Sequence, residues 1–345
     1  MKTNNMFHKV VILGCSLLFG LTACDPKDEG PSVDDYFLNY EIPDVEPTSN
    51  IPVGVLYYST GSQGIDEARY DRLTGEYVAD GKFPQFCPQQ RPVLGRYAMN
   101  TTIAETANLI QQHLDWAQEE GGIDFFILPA MRYNANGTSS KIQQGSANFV
   151  NYLSGKDPLS EGKINWGSMH YALSVMMNDF TNGLSADVRI EDDADADGIS
   201  ARCEALYEFF VELAYTFLED ELYYRIDNKP MLVLWNAHQL YSKDSKKLYD
   251  NIRQRVKEAT GLDLYLVARQ PNWSPAARFH NFFMTGGVDA VYMDNMFNQM
   301  DWARSYMYPQ YINENYKYNR QYTLTNYNID FIPAISTSYN AWMWN

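Results

Sequence analysis

Residues 231–235 read Met-Leu-Val-Leu-Trp, and the polar residues Asn236 and His238 follow almost at once. The apolar residues do not alternate with polar ones, as they would in a strand with one face in water. A continuous apolar run of this length, ended by polar residues, is typical of a strand that is covered on both faces. The sequence therefore predicts a buried strand at this point.

The same kind of run recurs along the chain, each time bounded by polar or glycine-rich turns. The further predicted strands are Val53–Tyr58, Phe125–Ala130, Tyr171–Met177, Leu264–Ala268, Ala290–Met293 and Phe331–Ile335.

Helical patterns lie between these runs. Apolar residues recur on one helical face from Ile103 to Ala117, and Gly121-Gly122 ends that pattern. Two more helices are predicted at Ala205–Tyr224 and at Lys246–Ala259, the latter stopped by Gly261. Strands that alternate with helices form parallel sheets, because each crossover returns the chain to the same end of the sheet.

The predicted fold class is α/β, a (β/α)8 TIM-type barrel that lacks its C-terminal eighth strand. A barrel is favoured over a dinucleotide-binding sheet because the chain has neither a GxGxxG turn nor a P-loop. The chain stops at Asn345, soon after the seventh strand, so that either the barrel closes unusually or the sequence is a fragment.

The first residues predict export. Basic Lys2 and Lys9 precede an apolar run that is too short to span a bilayer, and the run ends at Ala23-Cys24. This arrangement resembles a lipobox, so residues 1–23 are expected to be a lipoprotein signal peptide and Cys24 the lipidation site. An ordinary cleaved signal is the alternative. Residues 24–50 are expected to be a disordered acidic tether, and residues 51–345 the barrel domain.

The predicted location is the cell envelope, as an outer-membrane lipoprotein exposed at the cell surface and attached through its lipid anchor. The formal net charge of -16 excludes nucleic acid as a partner, because such a partner needs a cationic surface. Aromatic residues make up 14% of the chain, which suits either the stacking of sugar rings or a large aromatic core.

Barrel enzymes carry their chemistry at the carboxyl ends of the strands, and those ends are polar and aromatic here. Asp179 and Asp294 follow the third and sixth runs and are the candidate catalytic residues, since glycoside hydrolysis needs two carboxylates. Either aspartate could instead cap a helix. The predicted substrate-binding residues are Tyr58, Arg132, Asn178, Trp235, His238, Gln270, Trp273 and Tyr339.

Three motifs, in order, resemble glycoside hydrolase family 99 and the related WbsX-like proteins. The first runs from Leu94-Gly95-Arg96-Tyr97 through His113-Leu114 to Gly122-Ile123-Asp124, the second is the run Tyr223–Met231, and the third is Phe331–Ser336. The resemblance implies a TIM barrel that acts on α-linked, mannose-like glycans without a required cofactor. The chain departs from the family's "H-x-EPY" run, because Met176–Phe180 contains one aspartate and no glutamate.

Two functions are therefore expected from the sequence. The first is a lipid-anchored glycoside hydrolase-like protein acting on α-linked, mannose-type glycans, an endo-α-mannosidase-like enzyme. The alternative is a catalytically degenerate glycan-binding surface lipoprotein of an uptake system. Glycosyl transfer, as in the WbsX-like proteins, is a third and less favoured hypothesis.

An acidic loop follows the pattern of a calcium-binding loop, D-x-D-x-D-G-x5-E. It predicts a structural Ca²⁺ site formed by Asp193, Asp195, Asp197 and Glu204, with a solvated acidic insertion as the alternative. Cys87 and Cys203 remain in the mature chain, either as a disulfide or as two buried thiols.

Overall fold

The computed structural model describes residues 50–57, Leu94, and residues 99–137, 139–181, 188–270, 286–293 and 308–335. The chain divides into the units Met1–Ile51 and Pro52–Asn345, and every helix and strand given below lies in the second unit. Within the described residues, no helix is both long enough and apolar enough to cross a membrane.

Seven parallel strands form the sheet, in the order β1-β2-β3-β5-β6-β7-β8, and the sheet curls into a half-barrel. Each of the seven predicted runs contributes one of these strands, which confirms the predicted fold class. The observed strands are shorter than some runs. Their bounds are β1 Gly54–Leu56, β2 Phe125–Ile127, β3 His170–Met176, β5 Lys229–Trp235, β6 Tyr265–Gln270, β7 Ala290–Met293 and β8 Asp330–Ile332.

Both faces of the central strands β3 and β5 are covered, as the continuous apolar runs predict, whereas Val53 and Val55 at the edge strand β1 are exposed. On β5, Leu232 and Leu234 belong to the large core against the helices, whereas Met231 and Val233 belong to a smaller core on the opposite, inner face. Side chains alternate between the two faces along a strand. Trp235 therefore extends from the inner face, at the carboxyl end of β5.

One short strand was not predicted. β4, Arg225–Ile226, runs antiparallel to β5 and is joined to it by Asp227 and Asn228, both with positive φ (49° and 62°). Two consecutive left-handed residues form the turn that matches the twist of a hairpin, and Asp and Asn tolerate this conformation. The hairpin places Tyr224 against the inner core, where its ring stacks on Phe125 with centroids 3.8 Å apart. The amino end of the sheet is filled by these rings.

The described helices are α1 Glu105–Glu119, α2 Gln144–Leu153, α3 Ala201–Leu213, α4 Ser245–Thr260 and α5 Tyr308–Tyr327. The predictions of α1 and α4 are confirmed to within a few residues, and Gly261 ends α4 in the left-handed conformation (φ 79°). The prediction of one helix over Ala205–Tyr224 was wrong at its end. α3 begins at Ala201, where Ser200 caps it, and a π turn at Ala214–Leu218 ends the helical segment.

Candidate functional site

A pocket of about 450 Å³ lies at the carboxyl ends of β1, β2, β3 and β5. This volume falls in the range of small-molecule sites. The pocket has an apolar floor and a polar rim of hydroxyl, amide and guanidinium groups. Its lining residues are Leu56, Tyr57, Met99, Asn100, Thr101, Thr102, Ile127, Leu128, Pro129, Ala130, Arg132, Gln143, Gly145, Ser146, Phe149, Ser174, Met176 and Trp235.

Arg132 and Asp179 form a two-point ion pair beside the pocket. Arg132 Nε donates to Asp179 Oδ2 at 2.7 Å and Nη2 donates to Oδ1 at 2.8 Å, while the Tyr133 backbone N–H donates to Oδ2 at 3.1 Å. The Asp179 side chain is only 7% exposed, whereas that of Arg132 is 48% exposed. The hydrogen bond and the charge of Asp179 outweigh burial and raise the pKa of the Arg132 guanidinium.

This pair limits what Asp179 can do chemically. Both carboxylate oxygens already accept hydrogen bonds, from Arg132 and from the Tyr133 backbone N–H. A proton donor for a leaving group would have to be neutral and free to turn toward the substrate. As it stands, the geometry makes Asp179 the group that orients Arg132 at the pocket.

The carboxyl ends of β3 and β5 are tied together by two asparagines. Asn236 Nδ2 donates to Asn178 Oδ1 at 3.2 Å and lies 3.4 Å from Met176 Sδ. Asn236 has left-handed backbone dihedral angles (φ 56°, ψ 29°), which cost a non-glycine residue energy. Such strained positions cluster at functional sites. The sequence contains no signal for this conformation, because asparagine is common in ordinary turns.

Trp235 is the last residue of β5 and lines the pocket. The guanidinium carbon of Arg269, on β6, lies 3.9 Å from the centroid of the Trp235 ring. This distance is well within the range of a cation–π contact. Arg269 is not a lining residue of the pocket. The sequence places both residues at strand ends and predicts Trp235 as a binding residue, but it does not predict their contact, since no pattern shows which residues meet across two strands.

Tyr57 forms a second aromatic wall of the pocket. Its ring stacks on Phe126 at 4.6 Å, and its hydroxyl oxygen lies 2.8 Å from His113 Nδ1, on α1. Burial lowers the pKa of His113. The neutral imidazole therefore prevails at neutral pH and can exchange a hydrogen bond with the tyrosine hydroxyl.

The other predicted site residues are placed differently. His238 lies in a short 3₁₀ helix, Ala237–Gln239, with Nε2 3.4 Å from Gln239 Nε2, and is not a lining residue of the pocket. Gln270 ends β6. Five predicted residues lie outside the described part of the chain: Cys24, Tyr58, Trp273, Asp294 and Tyr339.

The acidic loop is held by hydrogen bonds of its own. Asp195 Oδ1 accepts from the backbone N–H groups of Asp197 and Ile199, and Glu204 pairs with Arg255 at 3.0 Å. Asp193 accepts from Ser200 Oγ, the cap of α3. Among the described residues, no group of three or more His, Cys, Asp or Glu is arranged to hold a metal ion. Calcium binding by this loop stays a prediction.

Cys203 is a buried free thiol on α3, and burial raises its pKa. Cys87 lies outside the described residues.

Comparisons with known proteins identify the fold. One solved structure, a "Glycoside hydrolase-like protein", matches over 88% of this chain and 76% of its own, with 24% identity and a TM-score of 0.58. The chain shares this fold. No protein-family model matches the chain, and no protein of curated function does either.

Two structures of the GH99 endo-alpha-mannosidase from Bacteroides thetaiotaomicron also match, one of them in complex with BIS-TRIS-propane. The complex has 13% identity and a TM-score of 0.44, covering 71% of this chain and 59% of its own. The other has 14% identity and a TM-score of 0.46, covering 74% and 60%. The chain thus spans about three fifths of the length of these mannosidase structures.

The glycoside hydrolase-like fold predicted from the three motifs is confirmed at the level of architecture. One fold supports many activities, so that function has to be argued from the site.

Proposed function

We propose that this protein is a lipid-anchored, glycoside hydrolase-like barrel that binds α-linked, mannose-type glycans in the pocket at the carboxyl ends of its strands. The observation that carries the proposal is the pocket itself, which combines aromatic walls, Tyr57 and Trp235, with hydroxyl and amide groups and the ion-paired Arg132. Sugars have apolar C–H faces and hydroxyl edges, so they fit a site of this composition. The mannose-type preference rests on the sequence motifs.

The charge of the pocket favours binding over hydrolysis. Hydrolysis by the usual mechanism needs two carboxyl groups, one to protonate the leaving oxygen and one to act as a base or nucleophile. Of the lining residues that the structure describes, none is Asp or Glu. The neighbouring Asp179 is held by Arg132 and by the Tyr133 backbone N–H. Glycan binding without hydrolysis is the activity that this geometry supports best, and the proposed lipid anchor and role in uptake rest on the sequence.

Hydrolysis is the second candidate, because Asp179 directly follows β3 at the end of the sheet where barrel enzymes carry their chemistry. In this mechanism Asp179 and Asp294 supply the acid and the base, and Arg132 releases Asp179 when substrate binds.

The two candidates are separated by measuring binding and turnover on the same protein. Binding of an α-linked mannotriose and of yeast mannan is measured by calorimetry, and release of reducing sugar is measured from both. We expect micromolar to millimolar binding without release. Asp263→Asn, which breaks an exposed pair with Lys257 on α4, is the matched control for Asp179→Asn.

Release by the parent, lost by two or more orders of magnitude in Asp179→Asn, would establish hydrolysis with Asp179 as an acid or base. The absence of both binding and release on a panel that includes glucans and xylans would refute a sugar-binding function.

The membrane anchor is tested independently of the barrel. We propose that Cys24 carries the lipid and that the protein resides in the outer membrane, facing outward. Cells fed an alkyne fatty acid should label the parent but not Cys24→Ala, and external protease should digest the parent in intact cells. Labelling of Cys24→Ala would contradict the assignment of the lipid site.

A further inference from the structure

We infer that Trp235 is the stacking surface for a neutral sugar ring and that Arg269 is a positioning residue, which covers the far face of the indole and holds it in place. This inference rests on the proposed sugar-binding function and names the contact that carries it. It also assigns a role to Arg269, which does not line the pocket.

The register of the sheet places Trp235 between two neighbours on the inner face. Met176, on β3, pairs with Trp235, and Leu234 pairs with Ala268 on β6. One residue further along, Trp235 and Arg269 stand side by side, with the same alternation as Val233 and Val267 in the inner core. The indole thus has the pocket, where Met176 lies, on one side and the arginine on the other.

Arg269 lies against one face of the Trp235 ring. A guanidinium carbon 3.9 Å from the ring centroid lies in contact with the face, as a stacked plane does. A ligand cannot stack on the part of the ring that the guanidinium occupies. Because Trp235 lines the pocket and Arg269 does not, the uncovered face is the one presented to a ligand.

The backbone after Trp235 is fixed as well. The next residue, Asn236, is left-handed and donates a hydrogen bond to Asn178, at the end of β3. An aromatic ring that is fixed before binding loses little conformational freedom when a ligand stacks on it, which is how preorganisation raises affinity.

The ligand class follows from the charges around this face. The pocket's charged lining residue, Arg132, is neutralised by its two-point pair with Asp179. The remaining rim groups are amides and hydroxyls, such as Asn100, Thr102 and Gln143. A neutral pyranose matches this surface better than a sulfated or uronic sugar does, and the acidic chain as a whole repels anionic polysaccharides.

The test measures α-mannotriose affinity in the full chain and in Trp235→Ala, Trp235→Phe, Arg269→Met and Arg269→Lys. We expect about tenfold weaker binding in Trp235→Ala and a smaller loss in Trp235→Phe, which keeps a ring. Arg269→Met should weaken binding severalfold, and Arg269→Lys should restore part of the loss. Arg255→Lys is the matched control, since Arg255 lies over the Tyr207 ring away from the pocket, at 5.8 Å.

A second readout follows the indole itself. Mannotriose should change the tryptophan fluorescence of the parent, and this change should vanish in Trp235→Phe and shrink in Arg269→Met, whose melting temperature is measured alongside. Parent-like affinity in Trp235→Ala would overturn the stacking role while the proposed function stands. Parent-like affinity and fluorescence change in Arg269→Met would overturn the role of Arg269. No binding by the parent would overturn the proposed function and this inference together.

Discussion

The two ends of the curled sheet are built in different ways. At the amino end, Phe125 and Tyr224 stack, and the buried Tyr223 hydroxyl donates to the Met231 carbonyl and accepts from the Leu173 N–H. Every one of these groups is packed or paired within the protein. At the carboxyl end, the ion-paired Arg132 lines an open pocket, and the left-handed Asn236 follows Trp235, another lining residue.

Along the same strands, the residues at the amino end contribute to stability, whereas those at the carboxyl end are available for function. The amino end uses aromatic packing and paired polar groups to close the sheet, which is how barrels keep that end for stability. The carboxyl end keeps a partly exposed charge at an open pocket, which contributes little to stability but creates a surface that can contact a ligand. Substitutions at the two ends should therefore have opposite profiles, and the following predictions test that expectation.

The largest effect on stability is expected from Phe125→Ala, at the amino end. The substitution removes a buried ring and its stack with Tyr224 and leaves a cavity, so we expect a loss of about 3–5 kcal/mol in the free energy of unfolding. Urea unfolding measures it. Mannotriose affinity of the folded protein should stay at the parent value, and a large loss of affinity would show that the two ends are not separate.

A smaller and asymmetric loss is expected when the carboxyl-end ion pair is broken from either side. Arg132→Met leaves the buried Asp179 carboxylate with one donor, whereas Asp179→Asn leaves Arg132 exposed to water. We expect Arg132→Met to cost about 1–3 kcal/mol and Asp179→Asn to cost less. Urea unfolding measures both losses. Equal losses of unfolding free energy in the two variants would contradict the argument from the burial of Asp179.

A loss of about 1 kcal/mol is expected at Asn236, where the backbone is left-handed. Both variants lose the side-chain hydrogen bond of Asn236, but Asn236→Gly also removes the Cβ that is strained at φ 56°, whereas Asn236→Ala keeps it. We therefore expect the alanine variant to be the less stable by about 1 kcal/mol. Thermal unfolding of the two variants measures this difference. Identical melting temperatures would contradict the prediction.

Asp220, which is ion-paired at the amino end, should make the stability of the fold depend on pH. Burial raises the pKa of Asp220, but hydrogen bonds from Lys156 and Tyr171 outweigh burial and lower it overall. A carboxyl group with a lowered pKa in the folded state stabilises the fold fully above its unfolded pKa of about 3.9. This stabilisation is lost as the pH falls through the lower, folded value.

Unfolding free energies measured from pH 7 down to pH 2 should therefore fall less steeply in Asp220→Asn than in the parent. The exposed Asp263→Asn is the control, and it should follow the parent curve. Parallel curves for the parent and Asp220→Asn would refute the role of Asp220.

The smallest effect is expected from calcium, at the acidic loop that leads from β3 to α3. The sequence motif predicts that calcium raises the melting temperature of the parent, and Glu204 must leave Arg255 for this to happen, which keeps the rise small. Asp195→Asn with Asp197→Asn should abolish the rise. If calcium does not change the melting temperature of the parent, the loop is a solvated acidic insertion that does not bind calcium.

Much of the architecture could be predicted from the order of apolar runs. The seven parallel strands follow from runs such as Met231–Trp235, because their pattern requires burial on both faces. The β4–β5 hairpin and the early end of α3 were missed, since a two-residue strand and a π turn leave no periodic pattern. Of the predicted site residues, Arg132, Asn178, Asp179 and Trp235 do meet around one pocket or its border.

The sequence by itself determined the layered α/β fold and the strand ends at which polar residues gather, because periodicity and composition are local properties of the chain. Only the tertiary structure decided what those residues do. It paired Asp179 with Arg132, over a separation of 47 residues, and placed Arg269 against Trp235. Such pairings depend on the register between strands, which brings distant residues within a few ångströms and which no local pattern encodes.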